Sequence, residues 1–164
     1  MKVSHVISTC LCLLFLCSCA TEHLIHPQLP ADVSMNKEAA REGWLIVTLR
    51  LESGEELPFI VDTGTPVVLF DKSLEPKLGK RLGSVTLSNF GNEQKGGCYA
   101  APKLYLGSTP LATGSRIYTW DCKRFPSDKG HPIMGILGMD CLRHYCIQLD
   151  FEAKDALFRP QSLE

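Results

Sequence analysis

Three apolar residues, Phe59-Ile60-Val61, run without interruption into Asp62-Thr63-Gly64-Thr65. Such a run reads as a strand that carries its last residue out of a core and into a tight turn. It constrains the fold because a carboxylate delivered from a core needs hydrogen-bond donors, an unpaired buried charge being very costly. Thr63 and Thr65 put hydroxyls on either side of the turn. Gly64 allows close backbone approach and an unusual dihedral angle. A plain hairpin turn can contain the same tripeptide, with the aspartate capping its own loop. Asp-Thr-Gly alone does not separate the two.

The surrounding pattern narrows the choice. From Trp44 onward the chain is a series of short apolar or alternating runs broken by turn residues. Strands are predicted at 44–51, 57–61, 66–70, 85–89, 97–101, 103–106, 116–120, 133–137, 146–151 and 156–158, with one short helix over 139–145. The segment 72–81 reads as a basic connection and 122–132 as an irregular loop. Residues 85–89 and 97–101 are the arms of a hairpin, and Phe90-Gly91-Asn92-Glu93-Gln94-Lys95-Gly96 is its tip. Many strands and one helix predict an all-β domain spanning 44–159, with a tail at 160–164. No repeat, phosphate-binding loop or nucleotide-binding unit is present.

Some 70 residues after the Asp-Thr-Gly comes Ile136-Leu137-Gly138, then Met139-Asp140-Cys141-Leu142-Arg143-His144 and Ile147-Gln148-Leu149-Asp150-Phe151. Taken by itself this is a buried strand entering a short helix. Together with the earlier loop and hairpin, in this order, it resembles the retropepsin-like aspartic proteases, the single-lobe relatives of pepsin, and in particular bacterial members with an Ile-Leu-Gly-Met-Asp sequence. The resemblance covers about Trp44 to Phe158. It implies an acid-protease barrel in which a hairpin flap closes over substrate and a hydrophobic-hydrophobic-Gly strand threads beside the catalytic loop.

Residue by residue, the resemblance makes Asp62 the catalytic aspartate. Thr63 becomes the residue that braces the paired loop across a dimer, and Gly64 the donor whose backbone N–H supports the carboxylate. Thr65 supplies the hydroxyl to the outer carboxylate oxygen, and Gly138 is structural. Phe90, Gly91 and Asn92 are assigned to the flap by position only. No cofactor or metal is implied. Because the chain holds one Asp-Thr-Gly, it supplies half of a carboxyl pair, and catalysis predicts a homodimer cutting an extended peptide or protein. A second reading is a catalytically silent, peptide-binding lipoprotein of the same fold. A third is Cys–His hydrolysis through Cys141 or Cys98.

The start of the chain predicts export. Lys2 precedes an apolar run over 6–17 that is too short to span a bilayer as a helix. Leu16-Cys17-Ser18-Cys19 resembles the lipobox of bacterial lipoproteins, which makes 1–18 a signal peptide, Cys19 the lipidated residue and 19–43 mostly a polar tether. Cleavage near Ala20 without lipid, or an uncleaved anchor, are the alternatives; all three put the domain outside the cytoplasm, in a bacterial cell envelope. Seventeen basic residues against eighteen acidic ones leave no stripe for nucleic acid. Cys98, Cys122, Cys141 and Cys146 remain after export, and an oxidising compartment predicts disulfides, with Cys98–Cys122 and Cys141–Cys146 preferred. Buried thiols are the alternative. A metal cluster at Cys141-x-x-His144-x-Cys146 is disfavoured, because no CxxC pair accompanies it.

Overall fold

The computed structural model describes residues 33–34, 43–89, 91–125, 130–152 and 155–160. The proposed export segment, Cys19, Phe90 and residues 161–164 lie outside them. Among the described residues, twelve strands, one short α-helix and two short 3-10 segments make the fold all-β. The strands are β1 (Val33–Ser34), β2 (Ile46–Leu51), β3 (Glu56–Val61), β4 (Leu69–Asp71), β5 (Arg81–Asn89), β6 (Asn92–Ala100), β7 (Leu104–Leu106), β8 (Thr109–Pro110), β9 (Arg116–Trp120), β10 (Gly135–Leu137), β11 (Tyr145–Asp150) and β12 (Asp155–Pro160). The helix, α1, covers Met139–Leu142. None of the described helices is long and apolar enough to cross a membrane.

Nine strands form one mixed sheet in the order β5-β6-β9-β4-β10-β3-β2-β7-β8, and β1-β12-β11 form a second. The side-chain alternation of the central strands explains why both faces of the large sheet are covered. Val47, Leu49, Leu57, Phe59 and Leu137 point into one apolar cluster. Ile46, Ile60, Leu69 and Ile136 point into another, on the opposite face. Phe59 and Phe70 meet edge to face at 5.1 Å inside the first cluster. Each buried side chain of this size contributes about 1.5–3 kcal/mol.

Several expectations are corrected here. The helix ends at Leu142 rather than 145, and Tyr145 begins β11. Residues 33–34 are not tether: they pair with Asp155 and Ala156 of β12. Within 72–81, Lys72–Lys77 coils into a short 3-10 segment, started by Asp71, whose carboxylate accepts the Ser73 N–H at 2.9 Å. The hairpin tip is narrower than Phe90 to Gly96. Asn89 pairs with Asn92, and between them Gly91 takes the φ of +79° that suits a tight hairpin turn. Asn92 to Gly96 belong to β6, since ladder hydrogen bonds need only backbone.

The disulfides are not formed: all four described cysteines are free thiols. Cys141 is fully buried in the first cluster while Cys146 is exposed on β11, so the side chains of the preferred pair diverge. Cys98 sits in β6 opposite Tyr118, and Cys122 is packed in the second cluster.

Candidate active site

β3 delivers Asp62 to the surface, and β10 fixes where it stops. The two strands run parallel with Phe59 beside Gly135, Ile60 beside Ile136 and Val61 beside Leu137. On its other side β10 pairs antiparallel with β4. The chain therefore leaves β3, turns through Asp62 to Val68, and returns as β4 across the inserted β10.

Backbone hydrogen bonds lock that turn to the start of α1. The Asp62 N–H donates to the Leu137 carbonyl at 3.1 Å. In return, Met139 N–H donates to the Thr65 carbonyl at 2.8 Å and Asp140 N–H to the Pro66 carbonyl at 3.0 Å. Gly138 lies between these bonds with no space for a side chain: a Cβ there would stand 2.2 Å from the Val67 carbonyl oxygen and 2.6 Å from that of Thr65. Gly135 has a similar part that sequence reasoning missed. A Cβ at Gly135 would fall 2.3 Å from the Phe59 ring and 2.4 Å from the Leu69 carbonyl oxygen, so its absence makes room for that ring. The only trace of this in the sequence is a glycine inside the apolar run 133–137.

The Asp62 carboxylate is held at both oxygens. Oδ1 accepts the Gly64 N–H at 2.8 Å, and Oδ2 accepts the Thr65 hydroxyl at 2.6 Å. These are short charge-assisted bonds, which fix the plane of the carboxyl group. Asp62 is half-buried rather than fully buried, and Thr63 and Gly64 are exposed at the tip. Gly64 is not among the glycines with a left-handed φ, so the expected unusual dihedral is not what this position needs. It needs closeness: a Cβ there would lie 3.1 Å from Asp62 Oδ1.

No family model matches this chain, and no curated protein does. Among solved structures, the chain is similar to a retropepsin-like aspartic protease from Rickettsia conorii, with a TM-score of 0.48 and 18% identity over 78% of this chain and 86% of that one.

Gly91 and Asn92 lie at the end of the β5–β6 hairpin. Leu87, in its β5 arm, packs against the cluster that contains Ile60 and Ile136, the residues two positions before Asp62 and Gly138. The hairpin is thus tied to the face of the sheet that flanks the loop.

Cysteine chemistry through Cys141 does not assemble. Burial, with the charge of Asp140 beside it, pushes the Cys141 thiol up to about 12. Burial, followed by the charges of Asp71 and Asp121, does the same for Cys122. Neither is a thiolate at neutral pH, which is the form a nucleophile needs. His144 and Cys146 are exposed while Cys141 is buried, so these three do not converge on a metal either.

One buried carboxylate was missed. Asp71, at the end of β4, also accepts the Cys122 N–H at 2.8 Å. Burial works to raise its pKa. The hydrogen bonds from Ser73 and Cys122, with the charge of Lys123, outweigh that and hold it below the ordinary value. It pins the segment after β9 to β4 and takes no part in the Asp62 loop. Nothing in the sequence distinguishes it from a surface aspartate following two apolar residues.

Proposed function

We propose that the chain is an aspartic endopeptidase that acts as a homodimer, with the Asp62 carboxyl groups of two copies facing one another across a shared cleft. The observation that carries this reading is the Asp62 carboxylate held by Gly64 N–H and Thr65 Oγ1 on a loop locked to Gly138. Self-capping accounts for the two local bonds to the carboxylate; what it does not account for is the locking of the half-exposed loop to residues some 70 positions away at Leu137 to Asp140.

The chemistry follows from two carboxyl groups a few ångströms apart, which share one proton because both cannot ionise cheaply. The ionised Asp62 takes a proton from a water molecule lying between the pair, and the water oxygen attacks the peptide carbonyl carbon. The protonated Asp62 of the other copy gives its proton to the carbonyl oxygen. The resulting tetrahedral diol collapses, the C–N bond breaks, and the amine leaves with a proton returned from the pair. Neither covalent intermediate nor metal enters. Thr63, exposed at the tip, is the residue that braces the second copy's loop. The peptide lies extended beneath the β5–β6 hairpins, bonded through its main chain.

Support for a second copy comes from the small sheet. β11 is one of its two edge strands, and Leu149 and Phe151 on and just after it are 36% and 48% exposed. An exposed strand edge with apolar side chains is a surface that natural proteins cover. The test is sedimentation of the mature chain alongside peptide cleavage over a dilution series. The expected result is a dimer whose specific activity falls as it dissociates. A strict monomer that still cleaves overturns the two-carboxyl mechanism.

A second reading is a silent peptide-binding lipoprotein that keeps the fold but does not dimerise productively; it is motivated by the lack of an obvious dimer element in the sequence, and the intact Asp62-Thr63-Gly64 argues against it. A chain that binds peptides from a random library and cuts none of them favours it. In either reading 1–18 is removed on export and Cys19 carries the lipid that holds the protein on a membrane surface in the bacterial envelope. Cys19→Ser is expected to release the protein from membranes into the soluble fraction, and unchanged retention counts against lipidation.

A further inference from the structure

The β5–β6 hairpin leaves the body of the protein at a definite point. β6 pairs with β9 only at Cys98, Tyr99 and Ala100. Beyond them the hairpin continues for six further pairs, from Ser84 with Gly97 out to Asn89 with Asn92. On β5 the register shifts between Arg81 and Gly83, and that irregularity lies opposite the same stretch of β6. A two-stranded ribbon beyond its last neighbour is weak by itself, so what holds its root decides how it moves.

At that root three distant parts of the chain meet in one network, buried at Thr119 and half-buried at Glu75. The Gly97 N–H donates to Thr119 Oγ1 at 2.7 Å, and the Thr119 hydroxyl donates to Glu75 Oε1 at 2.6 Å. Thr119 is fully buried in β9. Glu75 comes from the Lys72–Lys77 turn, and burial followed by the charge of Glu75 pushes the Tyr99 phenol of β6 above its ordinary value. Two adjacent glycines let the strand come this close. A Cβ at Gly96 would stand 2.1 Å from the Thr119 carbonyl oxygen, and one at Gly97 would stand 2.3 Å from the Tyr99 ring. Farther out, a side-chain tie runs from Asp121 N–H to Gln94 Oε1 at 3.1 Å, and Leu87 rests on the apolar cluster below.

We infer that Glu75 and Thr119 are positioning residues that clamp the root of the β5–β6 hairpin, so that it swings over the Asp62 loop about Gly97 and the β5 irregularity at Gly83. The chain needs such a clamp because Gly96 and Gly97 have no side chains with which to anchor the strand. Glu75 orients the Thr119 hydroxyl, leaving its oxygen lone pair for the Gly97 N–H. The outer tie through Gln94 is a single side-chain bond to backbone and is the part that gives way first. The mechanical role stands on the network itself; its effect on catalysis rests on the protease reading.

Hydrogen–deuterium exchange of the full chain tests the clamp without reference to cleavage. Thr119→Val keeps the shape and removes both bonds, whereas Thr119→Ser retains the hydroxyl. In Thr119→Val the amides of 84–95 are expected to exchange about tenfold faster, the loss of one buried hydrogen bond. Those of 46–61 should keep the wild-type rate, and Thr119→Ser should stay near wild type throughout. Glu75→Ala, at a half-buried position, is expected to give the same local pattern more weakly, and it keeps the test open if Thr119→Val does not fold. Unchanged exchange in 84–95 in Glu75→Ala, or acceleration spread evenly over the chain, overturns the inference. In the peptide assay a loosened hairpin raises KM more than it lowers kcat; a fall in kcat alone also counts against it. A protein that cleaves nothing yet shows the local exchange pattern retains the clamp and loses the protease reading.

Discussion

Asp62→Asn is expected to lower peptide cleavage by at least about a thousandfold while leaving the fold in place, because it removes the proton exchange on which the mechanism depends. The side chain keeps its size and both of its hydrogen bonds. The asparagine carbonyl oxygen still accepts the Gly64 N–H, and its NH2 can donate to the Thr65 hydroxyl, replacing the bond that hydroxyl now gives to Oδ2. The melting temperature should therefore move by only a few degrees, as for other half-exposed substitutions. Digestion of a random peptide library by wild type and variant in parallel reads the effect. Mixing makes the test sharper. If each cleft needs an aspartate from both copies, equal amounts of wild type and Asp62→Asn, dissociated and reassociated, retain about a quarter of the activity of the same total amount of wild-type chain. Full activity in the variant moves the chemistry elsewhere; about three quarters of the activity in the mixture means that one carboxylate per shared cleft suffices, and about half that each copy acts independently.

The second large effect is expected at Gly138, which touches no substrate. Any side chain here meets the backbone oxygens of Val67 and Thr65 at 2.2 and 2.6 Å, and neither belongs to a flexible side chain that could swing away. Thr65 is also the acceptor for Met139 N–H and the donor to Asp62, so whatever moves to admit a methyl group moves the carboxylate's support with it. Gly138→Ala is expected to cost about 3 kcal/mol of stability, at the upper end for overpacking. A displacement of about 1 Å in the loop costs on the order of a hundredfold in turnover in those molecules that do fold. Gly79 is the control, since a Cβ there meets nothing within 4 Å. Gly79→Ala should change stability by less than about 1 kcal/mol. Urea unfolding and cleavage rates measured on both variants decide it, and equal behaviour of the two removes Gly138 from the lock.

The parts legible from sequence were those in which one strand's own period carries the information. Alternation in Ile46–Leu51 and the apolar run into Asp62 fix two strands, because burial on a sheet repeats every second residue. The strand at Ile136-Leu137 was legible from its apolar run, but its place beside the Asp62 loop only by resemblance to a known arrangement; its insertion between β3 and β4 depends on contacts some 70 residues apart. Asn92 to Gly96 read as a loop because polar and glycine residues usually mark one, yet a ladder is made by backbone and ignores that composition. Glu75, Thr119 and Gly97 come from three separate segments, and no local pattern announces that they meet. The cysteines failed for a related reason. Spacing says how many thiols are near in sequence, but the direction of each side chain separates Cys141 in the core from Cys146 outside.

The insertion of β10 between β3 and β4 also sets a rule of timing. Phe59, Ile60 and Val61 meet partners at 135–137, so the loop that holds Asp62 acquires its backbone bonds only when nearly the whole domain is available. A chain emerging from the ribosome carries Asp62, Gly64 and Thr65 early and the residues that lock them very late. Closing so long a loop is entropically costly and places this contact among the slow, non-local events of folding. A nascent or half-threaded chain thus holds Asp62, Gly64 and Thr65 without the geometry that fixes them, until residues 135–140 have been made and threaded beside them.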